Sequence, residues 1–203
     1  MKLYTSIGPN PHVVRMFAAE KGLALDMVPV DLMAGENRQS PHLARNPAGQ
    51  LPALELDDGA YLTEIIPICE YLEELHPTPP LIGATPKARA ETRMWARRID
   101  LNIVEPMING FRFAEGLPLF QARVRCIPQA ADDLKAIAQS WIGWLDGQIA
   151  GRPFVTGETM TLADIVLFCF LDFGFAVGQP VKPEHAHVLA LYERMKARPS
   201  AAA

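Results

Sequence analysis

The sequence predicts an α+β domain followed by an all-α helical bundle domain. Over residues 1–75, segments with the two-residue period of strands alternate with segments of helical period. Three prolines then fall within Pro77–Pro80, where no helix can continue. After Pro86 every apolar pattern has the helical period. We therefore expect a first domain over 1–76, a Pro-rich linker over 77–86 and a second domain over 87–203.

The first domain is predicted to alternate strands and helices before it ends in a hairpin and a helix. Four strands are predicted, over 1–5, 23–32, 53–56 and 60–62. Asp57–Gly59 supplies the tight turn between the last two. Helices are predicted over 12–21 and 64–75, with one further helical turn after Pro41. This is the order of elements in a thioredoxin-like domain, a mixed sheet with helices packed on it.

The loop between the first strand and the first helix, Ser6–Asn10, contains no cysteine. Its composition excludes dithiol chemistry of the thioredoxin type and a cysteine nucleophile at this position. What remains is a helix N-terminus with its positive partial charge, the hydroxyl of Ser6 and the amide of Asn10. These groups indicate a site that stabilises an anion.

The second domain is predicted to contain helices over 87–113, 128–149, 162–177 and 184–196. We expect Pro106 to kink the first of them. Thr161 and Asp164 resemble a capping box at the start of the third, which is apolar on nearly every side and so belongs at the centre of a bundle. Residues 199–203 are expected to fray.

Charge and composition exclude several kinds of partner. The net charge of −4 argues against nucleic acid, because nucleic-acid binding needs a basic face. The longest apolar run, Ile165–Leu171, is too short to cross a membrane. The 3 cysteines are widely spaced and no Cys/His cluster exists, so the sequence supports neither a disulfide framework nor a metal site. No secretory signal pattern is found, and we expect a cytoplasmic location.

Several short motifs along the chain resemble those of the glutathione transferase superfamily. They are spread over both domains: Leu3-Tyr4, Pro9-Asn10, Ala19–Leu23, Asn46–Leu54, Leu62–Glu64, Ile68–Leu72 and Thr161–Asp164. Each is common alone, but together and in this order they cover essentially the whole chain. The first loop is similar to that of bacterial and fungal members, in which Pro-Asn follows the usual position of the activating residue.

The resemblance implies a homodimer that uses glutathione as co-substrate in detoxification, with no metal. It also implies that the Leu51–Pro52 bond is cis and that the Leu51 backbone pairs with the cysteinyl part of glutathione. Glu64 would meet the γ-glutamyl ammonium, because a desolvated ammonium needs a carboxylate. Ile65, at the start of the next helix, would face the γ-glutamyl carboxylate.

For the glycyl carboxylate of glutathione the resemblance implies donors from a polar segment. Gln50 would approach this carboxylate, with Arg38 or Asn37 beside it. A carboxylate in a partly dry site needs such donors, and hydrogen bonds to charged groups are the strong ones.

Two positions depart from the pattern of the superfamily. Ile65 stands where a serine usually holds the γ-glutamyl carboxylate, and it keeps only the backbone N–H. A lost hydrogen bond to a charged group costs about 2 kcal/mol. Gly8 stands where the activating hydroxyl is expected, so Asn10 becomes the best donor to the thiolate, with Ser6 and Tyr4 as weaker candidates.

Each of these candidates also has a purely structural interpretation. Asn10 equally fits a turn former, and Tyr4, on a strand, more often belongs to the core. His12 fits a surface residue at a helix start, or a more distant cation of the site. The sequence leaves these alternatives open.

The resemblance also implies a pocket for a second substrate, between the domains. Its candidate walls all come from the kinked helix with Pro106: Met107, Phe111 and Arg112, together with Met94 and Leu101. Most of these residues equally fit the core of the bundle.

The first hypothesis for the function is a glutathione transferase acting on small hydrophobic alkyl or aryl electrophiles. The alternatives keep glutathione for disulfide or peroxide reduction or isomerisation, or assign a non-catalytic interaction protein of the same fold.

Overall fold

In the computed structural model, which describes residues 1–203, a four-stranded mixed sheet forms the base of the first unit. Its strands are β1 (Lys2–Thr5), β2 (Asp26–Pro29), β3 (Ala53–Glu55) and β4 (Tyr61–Thr63). Their order across the sheet is β2-β1-β3-β4. β1 and β2 run parallel and the other pairs are antiparallel. The thioredoxin-like arrangement predicted from the sequence is confirmed.

Three helices accompany the sheet: α1 (Pro9–Glu20), α2 (Ser40–Leu43) and α3 (Ile65–Leu75). The core of the unit is built from apolar side chains of the strands and of α1 and α3, among them Leu3, Phe17, Leu54, Ile68 and Leu72. Burying such side chains is the main favourable contribution to folding.

The second strand is shorter than the sequence predicts. The chain leaves α1 at Gly22, whose φ of 67° is open to glycine at little cost. The N–H of Leu23 then donates to the Ala18 carbonyl at 2.9 Å and closes the helix end. Leu23 is therefore part of the helix terminus, and pairing with β1 begins only at Asp26.

The strand register brings four strand ends to one edge of the sheet. Thr5, which ends β1, lies beside Pro29, which ends β2. Ala53, which begins β3, lies between Tyr4 of β1 and Thr63 of β4. Because α1 follows β1 and α3 follows β4, both helices begin at this edge. We call it the loop edge of the sheet.

The second unit is all-helical, as predicted. Its helices are α4 (Pro86–Ile99), α5 (Glu105–Arg112), α6 (Leu117–Phe120), α7 (Ala131–Gln148), α8 (Leu162–Ala176) and α9 (Ala186–Lys196). α8 has almost no exposed side chain in its first ten residues, which confirms its place at the centre of the bundle.

The single kinked helix predicted over 87–113 is instead α4 and α5 joined by a π-helical turn, Asp100–Val104. Pro106 has no N–H, and in an α-helix its ring would meet the carbonyl of Asn102. The wider turn just before Pro106 accommodates both effects.

The capping box at the start of α8 is confirmed. The Asp164 carboxylate accepts from the Thr161 N–H at 2.8 Å, from the Thr161 hydroxyl at 3.1 Å and from the Val155 N–H at 2.7 Å. Burial outweighs these donors and raises the pKa of Asp164 to about 6. Asp172, further along α8, accepts from the Tyr192 hydroxyl of α9 at 2.8 Å. Burial and this bond raise the pKa of Tyr192.

A buried ion pair fixes the proline segment to the first unit. The Lys21 ammonium lies 2.6 Å from the Glu73 carboxylate and donates to the carbonyls of His76 and Pro79 at 2.6 and 2.7 Å. Glu73 in turn accepts from the N–H groups of Leu81 and Ile82. The segment is thus held by hydrogen bonds although its prolines exclude it from any helix.

Two boundaries differ from the predicted ones. The first unit comprises Met1–Ala84 together with Pro199–Ala203, and the second is Thr85–Arg198. The sequence predicts that residues 199–203 belong to the helical domain and that they fray. Instead a 3-10 turn, Pro199–Ala202, is bound to α1. His12 Nε2 pairs with the Ala201 carbonyl at 3.0 Å and Arg15 Nε donates to the Ala203 carbonyl at 3.0 Å.

Candidate functional site

Leu51 presents an unpaired backbone at the loop edge. Its peptide bond to Pro52 is cis, as the resemblance implies. Neither the N–H nor the carbonyl of Leu51 makes a hydrogen bond within the chain, because pairing of β3 begins only at Ala53. The residue is half-buried. An extended ligand can therefore pair with it as an added strand residue would.

Side chains that the sequence analysis does not single out hold the segment that leads to Leu51. The Gln50 carbonyl accepts from His42 Nε2 at 2.8 Å and from Asn46 Nδ2 at 3.0 Å. Both donors are buried, whereas the Gln50 side chain is exposed. Asn46 belongs to a motif visible in the sequence, but His42 stands in a segment without any pattern. The two donors thus hold the Gln50 carbonyl, next to Leu51, in place.

Arg38 and Asn37, the candidate partners of the glycyl carboxylate, have different roles in the structure. Asn37 is buried and its amide donates to the Gly49 carbonyl at 2.7 Å, so it holds the loop. Arg38 is exposed and one guanidinium nitrogen donates to the Ala48 carbonyl at 3.1 Å. Arg38 thus combines a fixed position with donors open to solvent, which suits an anion.

Glu64 has the only positive φ among the non-glycine residues, 69° with ψ 134°. Such a conformation costs on the order of 1–3 kcal/mol and persists only where the surroundings impose it. Glu64 is exposed and is the residue from which α3 begins. Backbone strain of this kind concentrates at functional sites.

The first turn of α3 offers two backbone donors next to Glu64. Ile65 and Ile66 carry the free N–H groups of the helix start, whereas Pro67 has none. Ile65 has no side-chain donor, so anion binding here rests on these N–H groups and on the positive end of the helix.

The first loop presents Asn10 but not Ser6. The Ser6 hydroxyl donates to the Val30 carbonyl at 2.7 Å and so serves to join the loop to the chain after β2. Gly8 has φ 104° and caps α1, a conformation that L side chains rarely adopt. Asn10, in the first turn of α1, is half-buried and its side chain has no hydrogen-bond partner within the chain.

Tyr4 and His12 are occupied elsewhere. Tyr4 is buried against Val30 and Ala53, and its hydroxyl donates to Glu55 at 2.7 Å. This bond, with burial, raises the pKa of Tyr4. The core interpretation of Tyr4 therefore holds, and His12 pairs with the C-terminal segment described above.

A cavity of about 640 Å³ lies beside the first loop. Its lining includes Ser6, Ile7, Val30, Met33 and the Arg15 side chain. Asn10, Leu51 and Glu64 are not among the lining residues, so the cavity adjoins the arrangement at the loop edge rather than forming it.

Of the candidate walls in the second unit, Met107 belongs to the core. Its side chain is fully buried and lies against Gly174, where an added Cβ would be 3.1 Å from the sulfur. Phe111 is half-buried and meets the rings of Phe120 and Phe173 edge-on, at 6.1 and 5.1 Å between centroids. Phe111 and Arg112, both half-buried, remain available as walls.

The structure contains no group of three His, Cys, Asp or Glu side chains placed to hold a metal ion. None of its helices has both the length and the apolar character that a membrane span requires.

Family models match both units of the chain. The N-terminal domain model of glutathione S-transferase matches residues 7–75, and the C-terminal domain model matches residues 129–199. The chain belongs to the glutathione transferase superfamily.

Relatives and solved structures agree with this assignment. The chain is 33% identical to glutathione S-transferase 2 of Saccharomyces cerevisiae, over 97% of this chain and 85% of that protein. It is 35% identical to a maleylacetoacetate isomerase of Pseudomonas aeruginosa, over 82% and 78% of the two chains. A glutathione S-transferase domain-containing protein of Marinobacter aquaeolei superposes with a TM-score of 0.93 at 34% identity, covering 99% of this chain and 100% of that one.

Proposed function

We propose that the protein is a glutathione transferase that activates the glutathione thiolate for attack on a small hydrophobic electrophile. The free backbone of Leu51 carries the proposal, because it lies at the same sheet edge as Glu64 and the starts of α1 and α3. That edge offers a strand partner, one carboxylate and two positive helix ends within the reach of a tripeptide.

Each part of glutathione finds a group of matching chemistry. The cysteinyl backbone pairs with Leu51, and the γ-glutamyl ammonium pairs with Glu64. The γ-glutamyl carboxylate accepts from the N–H groups of Ile65 and Ile66 at the positive end of α3. The glycyl carboxylate meets Arg38 and Gln50, both of which are exposed.

Asn10 and the start of α1 stabilise the thiolate. A thiol pKa lowered from about 8.5 to about 6.5 corresponds to about 2.7 kcal/mol of preference for the charged form. A helix N-terminus and one amide donor together are of the right order for this. The proton leaves to water, the thiolate sulfur bonds to the electrophilic carbon, and the leaving group departs with the electron pair of its bond.

A homodimer is part of the proposal. Large apolar side chains are exposed on the helices of the second unit, including Met94 and Leu101 near α4 and Ile137 and Trp144 on α7. The rings of Trp95 and Trp144 lie 6.0 Å apart and join the two helices into one surface. Exposed apolar surface of this kind favours association. Sedimentation of the protein should give twice the monomer mass, and Trp144→Glu should reduce it to the monomer.

A glutathione-dependent isomerase is a second candidate, favoured by the likeness to the Pseudomonas isomerase. In an isomerisation glutathione adds to the substrate and leaves unchanged, whereas in a transfer it stays bound to the product. Mass spectrometry of the reaction mixture separates the two, since only the transfer consumes one glutathione per product.

Titration calorimetry with reduced glutathione tests the binding site. Glu64→Gly should weaken binding about tenfold or more, because the ammonium loses its carboxylate. The same change should leave the protein no less stable, because glycine relieves the positive φ. Glu74→Gly, on an exposed position of α3, is the matched control and should bind normally. Normal binding by Glu64→Gly, or no binding by the unaltered protein, would contradict the proposal.

The thiol pKa of bound glutathione tests the role of Asn10. Ultraviolet titration of the thiolate should give a higher pKa for Asn10→Ala than for the unaltered protein, with unfolding unchanged. Ser6→Ala serves as the comparison, since its hydroxyl is bound to the Val30 carbonyl and should not alter the thiol pKa. An unchanged pKa in Asn10→Ala would exclude the role.

A further inference from the structure

Arg112 is a half-buried cation without an ion-pair partner. Its Nη1 donates to the Asn109 side-chain carbonyl at 3.2 Å. Its Nε is buried and has no hydrogen-bond partner, and no carboxylate forms an ion pair with the guanidinium. The Glu105 carboxylate acts on the guanidinium electrostatically, and it accepts from the Asn109 amide at 3.2 Å.

Burial of this kind is unfavourable for an arginine that remains charged. Burial lowers the pKa of Arg112, although a guanidinium stays protonated in proteins. A buried N–H left without an acceptor costs the desolvation energy of that group. An unsatisfied buried group is rare enough to need an explanation, and an acceptor supplied by a bound ligand or ion is one.

The free part of the guanidinium has a definite shape. Because Nη1 is bound to Asn109, the fork that remains is Nε–H with Nη2–H, and Nη2 makes no hydrogen bond within the chain. Two parallel N–H donors of this fork match the two oxygens of a carboxylate.

One ring of an aromatic cluster lies beside the same guanidinium. Its central carbon lies 5.5 Å from the centroid of the Phe120 ring, which meets Phe111, which in turn meets Phe173. Gly116 leaves room for this cluster, since an added Cβ would lie 2.7 Å from the Phe111 ring. The Phe120 ring provides an apolar surface next to the guanidinium.

We propose that Arg112 and the rings of Phe111 and Phe120 form a binding site for a small organic carboxylate with an aromatic or flat unsaturated body. The inference deepens the proposed function, on which it rests for the role of this ligand as second substrate. The protein would then select anionic electrophiles over neutral ones of the same shape. Binding at Arg112 itself does not depend on glutathione.

Calorimetry without glutathione tests the site with 3,5-dinitrobenzoate and its neutral methyl ester. We expect the unaltered protein to bind the acid about tenfold tighter than the ester. Arg112→Gln should lower the affinity for the acid about tenfold and leave that for the ester within about twofold. Arg194→Gln is the matched control, since Arg194 also has one carbonyl acceptor and stacks on a ring, Phe154, but is exposed.

Equal affinity for acid and ester in the unaltered protein overturns the inference without any variant. A preference that survives in Arg112→Gln overturns it as well, because the carboxylate is then bound elsewhere. If Arg112→Gln does not fold, Arg112→Lys takes its place: it keeps the charge and loses the fork, so the preference should fall about threefold. A full preference in Arg112→Lys counts against the site.

The transfer reaction separates this inference from the proposed function. With glutathione present, 4-chloro-3,5-dinitrobenzoate and its methyl ester are compared as electrophiles. In both, the thiolate sulfur replaces chloride at the ring carbon. We expect a lower KM for the acid, and loss of that advantage in Arg112→Gln. If the protein turns over the acid and the ester equally well, the proposed transferase function stands and the carboxylate site is excluded. If the protein binds the acid through Arg112 but does not bind glutathione, the carboxylate site stands and the transferase function is excluded.

Discussion

Lys21 in the first unit is fully buried and Arg112 in the second is half-buried, and the two cations also differ in how completely they are paired. Lys21 has three acceptors, one of them the Glu73 carboxylate, which is itself bound by two backbone N–H groups. Arg112 has one amide acceptor and a buried donor without a partner. A fully paired charge holds a structure together, whereas an incompletely paired one is ready for a ligand.

The largest effect is expected for Lys21→Met. Removing the ammonium leaves Glu73 as an uncompensated buried charge, which should cost about 3–5 kcal/mol in the free energy of unfolding. Urea unfolding measures it. Lys21→Met combined with Glu73→Gln should recover part of the loss, and a loss below about 1 kcal/mol in the single variant would show that the pair does not hold the proline segment.

Asp164 extends the comparison to a buried anion bound by three donors but by no cation. Its pKa in the folded protein is raised to about 6, so its contribution to stability is full below its unfolded pKa of about 4 and is lost as pH rises through about 6. The unaltered protein should lose up to about 3 kcal/mol relative to Asp164→Asn between pH 4 and pH 7. Parallel pH profiles of unfolding for the two proteins would contradict the raised pKa.

Gly116→Ala tests the aromatic cluster beside Arg112. The added Cβ would lie 2.7 Å from Phe111, so the ring must shift and its contacts with Phe120 and Phe173 must change. Overpacking of this kind should cost about 1–2 kcal/mol and weaken the binding of 3,5-dinitrobenzoate. Gly147→Ala, at an open position of α7, is the control and should do neither. Unchanged affinity in Gly116→Ala would separate the rings from the ligand.

The smallest effect is expected for Arg112→Met. No carboxylate is left uncompensated, so the free energy of unfolding should change by less than about 1 kcal/mol, in either direction. A loss as large as that of Lys21→Met would show that Arg112 has a structural role like that of Lys21. Thermal unfolding of the two variants, measured side by side, gives the contrast directly.

The elements that could be predicted from the sequence are those set by neighbouring residues. The hairpin around Asp57–Gly59, the start of α8 at Thr161 and the break at the prolines each depend on a few adjacent side chains. The partners of Lys21 could not be predicted, because the carbonyls that it binds are 55 and 58 residues away along the chain.

In the candidate site, too, the features set by neighbouring residues could be predicted and those set by distant ones could not. Leu51 and Pro52 were recognisable from the motif around them, and the cis bond is confirmed. The positive φ of Glu64 and the use of the Ser6 hydroxyl by Val30 depend on how the strands are joined. No local pattern reports either of them. The roles in glutathione binding of all the site residues stay predictions.

The first unit is discontinuous in sequence, because residues 199–203, which follow the whole second unit along the chain, pack against α1. The Arg15 side chain links this segment to the first loop, since it donates both to the Ser6 carbonyl and to the Ala203 carbonyl. Consider a recombinant exchange of domains with a relative in which the chain is cut only at the proline segment. The first loop would then come from one parent and residues 199–203, which contact α1, from the other. An exchange that transfers residues 199–203 together with residues 1–84 takes both the first loop and the segment that contacts α1 from the same parent.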